Sequence, residues 1–153
     1  MNAAIEGFFA ERRIAVVGVS RGRGFANAAV KALRNAGHLV FPVNDQADEV
    51  HGERCFRSLA AVPEPIGSVL VVVPPARSAE VVRECVGLGV RNVWLQQGAE
   101  SPDALAAAEA AGISCVQREC VLMYAQPRGI HRVHRWLRER RTRREAHPGA
   151  QVR

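Results

Sequence analysis

A glycine-rich segment, residues 18–24, is the part of this sequence best suited to chemistry. It reads Gly-Val-Ser-Arg-Gly-Arg-Gly and stands between an apolar run and a helical pattern. Turns of this composition let backbone N–H groups approach a phosphate, and the N-terminus of the following helix favours negative charge. Arg21 and Arg23 would add positive charge at the rim of the turn. The segment therefore predicts an anion-binding site, with a phosphate group as the simplest occupant.

Neither of the two common glycine motifs fits this segment. A P-loop that starts at Gly18 would need glycine at position 23 and lysine at position 24, but the chain has Arg23 and Gly24. The dinucleotide motif G-x-G-x-x-G would need glycine at position 20, where Ser20 stands, and again at position 23. The structural alternative is that the glycines only permit a tight turn between a strand and a helix.

The rest of the chain alternates between short apolar runs and helical patterns. This alternation predicts a mostly parallel α/β sheet with helices on both faces, because strands buried on both sides read as continuous apolar runs. Right-handed crossovers make such a sheet doubly wound, with ligands beyond the carboxyl ends of its strands. The predicted strands are 13–19, 38–44, 66–74, 90–98 and 113–120, and the predicted helices are 25–37, 76–89 and 101–112. Segment 49–63 is predicted to be a short excursion with one helical turn.

Neutral hydrogen-bonding side chains follow several of these strands, namely Ser20, Asn44 and the glutamines at 96 and 97. The strand ends hold no paired carboxylates, no Ser-His-Asp set and no metal cluster, which favours a binding cleft over a reaction centre. Cys120 is the one nucleophile at a strand end and could accept an acyl group, but the sequence places no histidine beside it unless His131 or His134 folds back. A buried cysteine that closes the fifth strand is the simpler interpretation.

The composition favours a single cytoplasmic domain. The chain has 153 residues, of which 48% are hydrophobic, and both values are typical of one globular domain. No apolar stretch approaches the length that crosses a bilayer, and no signal-peptide pattern begins the chain. The cysteines at 55, 85, 115 and 120 have neither C-x-x-C nor zinc spacing and are expected to be reduced thiols.

The positive charge is concentrated at the C-terminus. The net charge is +6, and residues 131–153, with eight arginines and two glutamates, account for all of it. We expect a basic C-terminal helix whose apolar stripe consists of Ile130, Val133, Trp136 and Leu137. A flexible, solvated arginine run follows, for which nucleic-acid phosphates, anionic lipid or an acidic protein are alternative partners. Since no aromatic residues interleave with the arginines, specific nucleic-acid binding is not expected. The predicted division is a globular domain at 1–128 and a basic C-terminal helix with a flexible tail at 129–153.

Five motifs in order resemble the CoA-binding domain family: "GVSRGRGFAN", "FPVN", "VVVPPARSAEVV", "VWLQQGA" and "CVLM" with "HRVHRW". The members of this family are stand-alone, Rossmann-like forms of the CoA-binding half of the succinyl-CoA synthetase α-subunit. The resemblance spans roughly residues 12–136. It implies a Rossmann-like five-stranded fold with the pyrophosphate at the turn, the adenosine beside Asn44 and the two prolines, and Gln97 across the cleft. The implied CoA-binding residues are Gly18, Val19, Ser20, Arg21, Arg23, Gly24, Asn27, Asn44, Val73, Pro74, Pro75, Gln97 and Gly98.

The resemblance implies a small, soluble protein that binds coenzyme A or acyl-CoA and is not itself an enzyme, with a homodimer or a partner protein left open. An NAD(P)-binding protein is the main alternative, because Asp45 follows Gly24 by 21 residues, near the spacing of the ribose-binding acid of dinucleotide binders. A plain turn residue is the preferred interpretation of Asp45. An acyl-transfer subunit of a larger enzyme and an interaction module that has lost its ligand are the remaining alternatives.

Overall fold

The computed structural model describes residues 2–22 and 24–125. In chain order the elements are α1 (Ala3–Ala10), β1 (Arg13–Val17), α2 (Phe25–Asn35), β2 (Leu39–Val43), β3 (Glu49–Val50), β4 (Glu53–Arg54), β5 (Ser68–Val71), α3 (Pro75–Gly87), β6 (Asn92–Leu95), α4 (Pro102–Ala110), β7 (Ser114–Val116) and a 3-10 turn (Val121–Met123). None of the helices in these described residues has the length and apolar character needed to cross a membrane. The C-terminal helix and tail predicted at 129–153 lie outside the described residues, so the division at residue 128 stays a prediction.

Five of the strands form one sheet in the order β2-β1-β5-β6-β7, and every pairing in it is parallel. The five predicted strands and three predicted helices are confirmed, with shorter ends, and α1 is an additional element. The chain runs from β1 out to the edge strand β2 and then crosses to β5, the central strand, on the other side of β1. The strand order therefore reverses between β1 and β5, which makes this a doubly wound, Rossmann-like α/β fold.

Helices cover the sheet on both faces, as predicted. Along β1, Ile14 and Val16 pack in the layer that contains α1 and α2, whereas Ala15 and Val17 pack in the layer that contains α3 and α4. Because successive side chains of a strand point to opposite faces, one continuous apolar run supplies both layers. The two layers hold β1 and β5 side by side, with their carboxyl ends at one edge of the sheet.

The segment after β2 contains an element that was not predicted, because residues 49–54 form a two-stranded antiparallel hairpin. His51 and Gly52 make the hairpin turn, with φ of 52° and 76°. Two successive residues with positive φ are typical of a type I′ turn, whose twist matches that of the flanking strands. The hairpin was not predicted, because His-Gly is a weaker hairpin signal than Asn-Gly. Farther along the same segment, the N–H groups of Ala61 and Val62 donate to the carbonyl oxygens of Ser58 and Leu59, both at 3.2 Å, so a short helical turn is present there.

Phe56, just after the hairpin, pairs with the edge strand β2. The N–H of Phe56 donates to the carbonyl oxygen of Pro42, and the N–H of Asn44 donates to the carbonyl oxygen of Phe56, both at 2.9 Å. Phe56 thus forms a parallel bridge with Val43 and covers part of an edge that would otherwise expose unpaired backbone groups. The same pairing brings Arg57 next to the loop that follows β2.

Candidate functional site

A cavity of about 610 Å³ opens at the carboxyl ends of β1 and β5, where the strand order reverses. We call it the switch-point cleft. Its lining comes from residues 17–21, 43–47, 57–58 and 72–74 and from one face of α3 between Arg77 and Glu84. Ligands of doubly wound sheets bind at this position, and the volume lies in the range of small-molecule sites.

Gly18 ends β1 in a conformation that favours glycine. Its φ is +110°, and its N–H donates to the carbonyl oxygen of Val43 at 3.1 Å. Beside it, the N–H of Val72 donates to the carbonyl oxygen of Val17 at 2.8 Å. These hydrogen bonds draw the ends of β2, β1 and β5 together at the base of the cleft. Gly18 therefore has a structural role that does not depend on any ligand.

Asn27, in the first turn of α2, orients the glycine-rich turn. Its Nδ2 donates to the carbonyl oxygens of Ser20 and Gly22, both at 2.7 Å, and its Oδ1 accepts from the N–H of Ser20 at 3.2 Å. The Nε2 of His51 lies 3.2 Å from the same Gly22 oxygen. Because the C=O and N–H of a trans peptide point in opposite directions, the N–H of Arg21 points away from Asn27.

The helices α2 and α3, which follow the loops after β1 and β5, begin without a side-chain cap. Their N-cap residues, Gly24 and Pro74, make no capping hydrogen bond through a side chain. The N–H groups of a first helical turn have no partner within the helix, and the helix dipole makes this end favourable for an anion. Both helix ends therefore favour negative charge in their vicinity.

Asn44 connects the loops that follow β1 and β2. Its Nδ2 donates to the carbonyl oxygen of Val19 at 2.7 Å, and its Oδ1 accepts from the N–H of Gln46 at 2.7 Å. An amide has a second N–H and a second lone pair, so each end of the Asn44 side chain keeps capacity for one more hydrogen bond. Asn44 thus shapes the wall of the cleft and is still able to bind a polar ligand group.

Three arginines and three carboxylates line the switch-point cleft, so its formal charge is balanced: Arg21, Arg57, Arg77, Asp45, Glu80 and Glu84. The Nη2 of Arg77 lies 2.7 Å from the Oδ2 of Asp45. Arg57 donates from Nε and Nη2 to the two carboxylate oxygens of Asp48, at 2.7 and 3.2 Å. The hydrogen bond and the charge of Arg57 lower the pKa of Asp48 below its usual value.

Gln97 and Gly98 follow β6 and connect the loops at the far end of the sheet. The Nε2 of Gln97 donates to the carbonyl oxygen of Arg118 at 3.3 Å, and the N–H of Gly98 donates to the Oε2 of Glu100 at 2.7 Å. The Oε1 of Glu100 accepts from the N–H of Arg118 at 3.1 Å. Partial burial raises the pKa of Glu100, but its backbone hydrogen bonds outweigh this effect and lower the pKa below its usual value.

The structure brings part of the predicted site together. The candidate residues that line the switch-point cleft are Gly18, Val19, Ser20, Arg21, Asn44, Val73 and Pro74. Those outside this lining are Gly24, Asn27, Pro75, Gln97 and Gly98. Asn27 instead lines a smaller cavity of about 370 Å³ between α2 and the hairpin. Arg23 lies outside the described residues, and contact of any of these residues with a ligand stays a prediction.

The sequence did not predict the ion pairs of the cleft. Arg57 and Arg77 find their carboxylate partners 9 and 32 residues away in the chain, through tertiary contacts that no local pattern encodes. The one signal in the sequence that could have indicated an ion pair here was Arg77, in the first turn of the helix that begins at the cleft. Asp45 does lie in a turn, as interpreted, and it also binds Arg77.

The four cysteines form no disulfide in the structure. All four are free; Cys55 and Cys85 are buried, and Cys115 and Cys120 are half-buried. Burial raises the pKa of Cys85 to about 12 and that of Cys115 to about 11. Among residues 2–22 and 24–125, no three His, Cys, Asp or Glu side chains are grouped so that they could hold a metal ion.

Fold and site together define a class: a Rossmann-like α/β protein with a ligand-sized cleft at the point where its strand order reverses. A comparison with protein families makes the class specific. The CoA binding domain matches residues 12–126 of the 153, which is most of the chain. The protein belongs to this CoA-binding domain family, as the motifs indicated.

Relatives include both short and long proteins. The uncharacterized protein YneT of Bacillus subtilis is 30% identical over 111 residues, covering 72% of this chain and 82% of its own. A conserved hypothetical protein of Pyrococcus furiosus has a solved structure with a TM-score of 0.69 and 34% identity, covering 74% of this chain and 99% of its own. The acetate–CoA ligase (ADP-forming) I of Archaeoglobus fulgidus is 26% identical over 78% of this chain. The chain spans only 19% of that ligase's length.

Proposed function

We propose that this protein binds coenzyme A or an acyl-CoA in the switch-point cleft, with the pyrophosphate at the glycine-rich turn. The observation that carries the proposal is the position of this turn: residues 18–21 line a ligand-sized cleft in a member of the CoA-binding domain family. The N-terminus of α2 follows the turn and favours the negative charge of a pyrophosphate. The adenosine lies towards Asn44 and Pro74, and the rest of the ligand extends towards Gln97 and Gly98.

The proposed role is binding without catalysis. Nucleophilic catalysis needs a nucleophile with a base beside it, and the described lining of the cleft includes neither cysteine nor histidine. Two of its carboxylates already have protein partners, since Asp45 binds Arg77 and the Oε1 of Glu84 accepts from the N–H of Ala60 at 3.2 Å. A carrier or sensor of CoA in the cytoplasm, where the four thiols would stay reduced, fits these features.

A subunit that transfers acyl groups is the second candidate. The observation in its favour is the similarity to the acetate–CoA ligase of Archaeoglobus fulgidus. That ligase is much longer than this chain, which spans 19% of its length. The Cys120 thiolate would attack the thioester carbonyl of acyl-CoA and take the acyl group, and CoA would leave as the free thiol. Mass spectrometry after incubation with acetyl-CoA tests this candidate, which requires an acetyl group on Cys120 of the folded protein. An unmodified Cys120 under conditions in which acetyl-CoA binds would refute acyl transfer to this residue and leave ligand binding as the proposed role.

Ligand-dependent thermal melting tests the proposed function. CoA, acetyl-CoA, NAD, NADP and ATP are compared in parallel at equal concentration. A ligand at about 100 times its Kd stabilises the folded state by about 2.7 kcal/mol, which raises the melting temperature by several degrees in a domain of this size. We expect CoA and acetyl-CoA to give the largest shifts. A shift with NAD but none with CoA would overturn the proposal in favour of a dinucleotide-binding protein.

A further inference from the structure

The ion pair between Asp45 and Arg77 crosses the switch-point cleft at its adenosine side. Asp45 lies in the turn after β2, next to Asn44, and Arg77 lies in the first turn of α3, 32 residues later in the chain. Both residues line the cleft, and their side chains are 52% and 48% exposed. A ligand whose adenosine lies beside Asn44 would therefore meet this pair directly.

The loop that carries Asp45 is anchored independently of Arg77. Arg57 binds both carboxylate oxygens of Asp48, and its Nη1 donates to the backbone carbonyl oxygen of Asp45 at 3.3 Å. The hydrogen bond with Arg57 lowers the pKa of Asp48, so this second pair is fully ionised at neutral pH. Arg77 is thus able to leave Asp45 while the loop 45–48 keeps its position.

An exchange of partners at Arg77 is energetically easy. Ion pairs between half-exposed side chains contribute little to stability, because water screens them and both side chains lose freedom. A phosphate monoester carries close to two negative charges at neutral pH and accepts paired hydrogen bonds from a guanidinium. Such a group is a better partner for Arg77 than the Asp45 carboxylate, whereas an unmodified ribose hydroxyl is a poorer one.

We propose that Arg77 binds the phosphate group on the adenosine ribose of the ligand in exchange for Asp45, and that this exchange makes the cleft selective for 3′-phosphorylated CoA over dephospho-CoA. The inference rests on the proposed function and names the part of the ligand that decides affinity. Asp45 competes with the ligand for Arg77, and its negative charge also disfavours the phosphate. In a dinucleotide-binding protein, an acid near the position of Asp45 binds the ribose. Here Asp45 instead competes with the ligand phosphate for Arg77.

Calorimetric titration of the full chain with CoA and with dephospho-CoA tests the proposal. Arg77→Gln should weaken CoA binding about tenfold, a loss of about 1.4 kcal/mol, and change dephospho-CoA binding less than about twofold. Asp45→Asn should strengthen CoA binding about threefold. Arg83→Gln is the matched control, because it removes an exposed arginine from the same helix outside the cleft lining. Each variant is melted without ligand to verify that it folds.

The outcomes separate this inference from the proposed function. Equal weakening of both ligands by Arg77→Gln, or weaker CoA binding by Asp45→Asn, would overturn the exchange. Equal affinity of the parent protein for CoA and dephospho-CoA would overturn the selectivity while leaving the proposed function intact. Failure of the parent to bind either nucleotide would refute the proposed function and this inference with it.

Discussion

Gly18 and the carbonyl oxygen of Val72 lie so close that a Cβ atom on residue 18 would stand 1.9 Å from that oxygen. The two residues belong to the carboxyl ends of β1 and β5, which meet at the floor of the switch-point cleft. A side chain at position 18 would have to force these strand ends apart, and its backbone would also keep a φ of +110°. The sequence indicated Gly18 as a residue of the phosphate-binding turn, and the structure shows that the packing of the sheet also requires glycine at this position.

Replacement of Gly18 by Ala should destabilise the protein before it affects any ligand. Positive φ and the collision with Val72 together should lower the free energy of unfolding by about 2–5 kcal/mol. The melting temperature should fall by roughly 10 °C for a domain of this size. Thermal melting in the absence of ligand measures the effect. A variant as stable as the parent would show that the strand ends relax around the new methyl group.

Gly22 offers the matched comparison within the same turn. A Cβ at this position would have Ser20 Oγ, at 3.9 Å, as its nearest neighbour, so Gly22→Ala should fold like the parent. If the pyrophosphate approaches the backbone of the turn, the added methyl group should weaken CoA binding about tenfold without a change in stability. Unchanged CoA affinity in this stable variant would place the phosphate away from Gly22.

The main sheet was predictable because its strands are continuous apolar runs. Every residue of β5 and of β6 is buried, so the run itself marks the strand in the sequence. Three helices were predictable because they stop near Gly37, Gly89 and Gly112, whose φ values of 103°, 73° and 68° end a helix at little cost. Local signals of this kind determine the order of the elements along the chain, and the handedness of crossovers limits the topologies that the sheet can adopt.

Features that depend on distant partners were not predictable. The helix α1 contains Gly7 and has no strong pattern of its own; Phe8 packs its ring 5.2 Å from that of Trp94, far along the chain. The hairpin turn at His51 and the pairing of Asp45 with Arg77 likewise depend on contacts between separate segments. These long-range contacts determine the charge and the shape of the cleft, which is why the sequence located the turn but not the ion pairs.

Asn27 should control the glycine-rich turn through its amide group. Asn27→Asp keeps an acceptor for the N–H of Ser20 but loses the two hydrogen bonds donated to carbonyl oxygens, which the new carboxylate would repel. We expect a stability loss of about 1 kcal/mol and a loss of CoA affinity of at least about tenfold. Asn35→Asp, which makes the same charge change at the end of α2, is the control. Equal CoA affinity in both variants would contradict the role assigned to Asn27.

Glu100 should stabilise the protein in a pH-dependent way. Its backbone hydrogen bonds lower its pKa below 4.5, so its contribution is complete above that pH and is lost as the pH falls through the folded-state pKa. Glu100→Gln should cost about 1 kcal/mol near pH 7, and the difference from the parent should shrink below pH 4.5. Thermal melting across this range, with the exposed Glu109→Gln as a control, measures the effect. A difference that grows towards acid pH would contradict the assignment.

Cys85 and Cys115 should resist alkylation in the folded protein. Thiolates are the reactive species, and a pKa of about 12 for Cys85 and about 11 for Cys115 leaves few of them at mildly alkaline pH. Cys115 is only half-buried, so its protection tests the raised pKa rather than access alone. Mass spectrometry after timed iodoacetamide treatment, with and without urea, gives the rates. Labelling of Cys115 at the same rate in both conditions would count against its raised pKa.

Truncation of the basic C-terminus separates charge from ligand binding. Removal of residues 138–153 deletes six arginines and two glutamates and lowers the formal net charge from +6 to +2. The cut leaves residues 12–126, the part that matches the CoA-binding domain family, complete. Because exposed charges act over roughly 8 Å at physiological ionic strength, we expect CoA affinity to stay nearly unchanged. The salt-sensitive retention of the parent protein on heparin should become weaker in the truncated form. Calorimetry and chromatography of both forms at two salt concentrations provide the measurement. A large, salt-dependent loss of CoA affinity on truncation would show instead that these arginines contribute to the binding site.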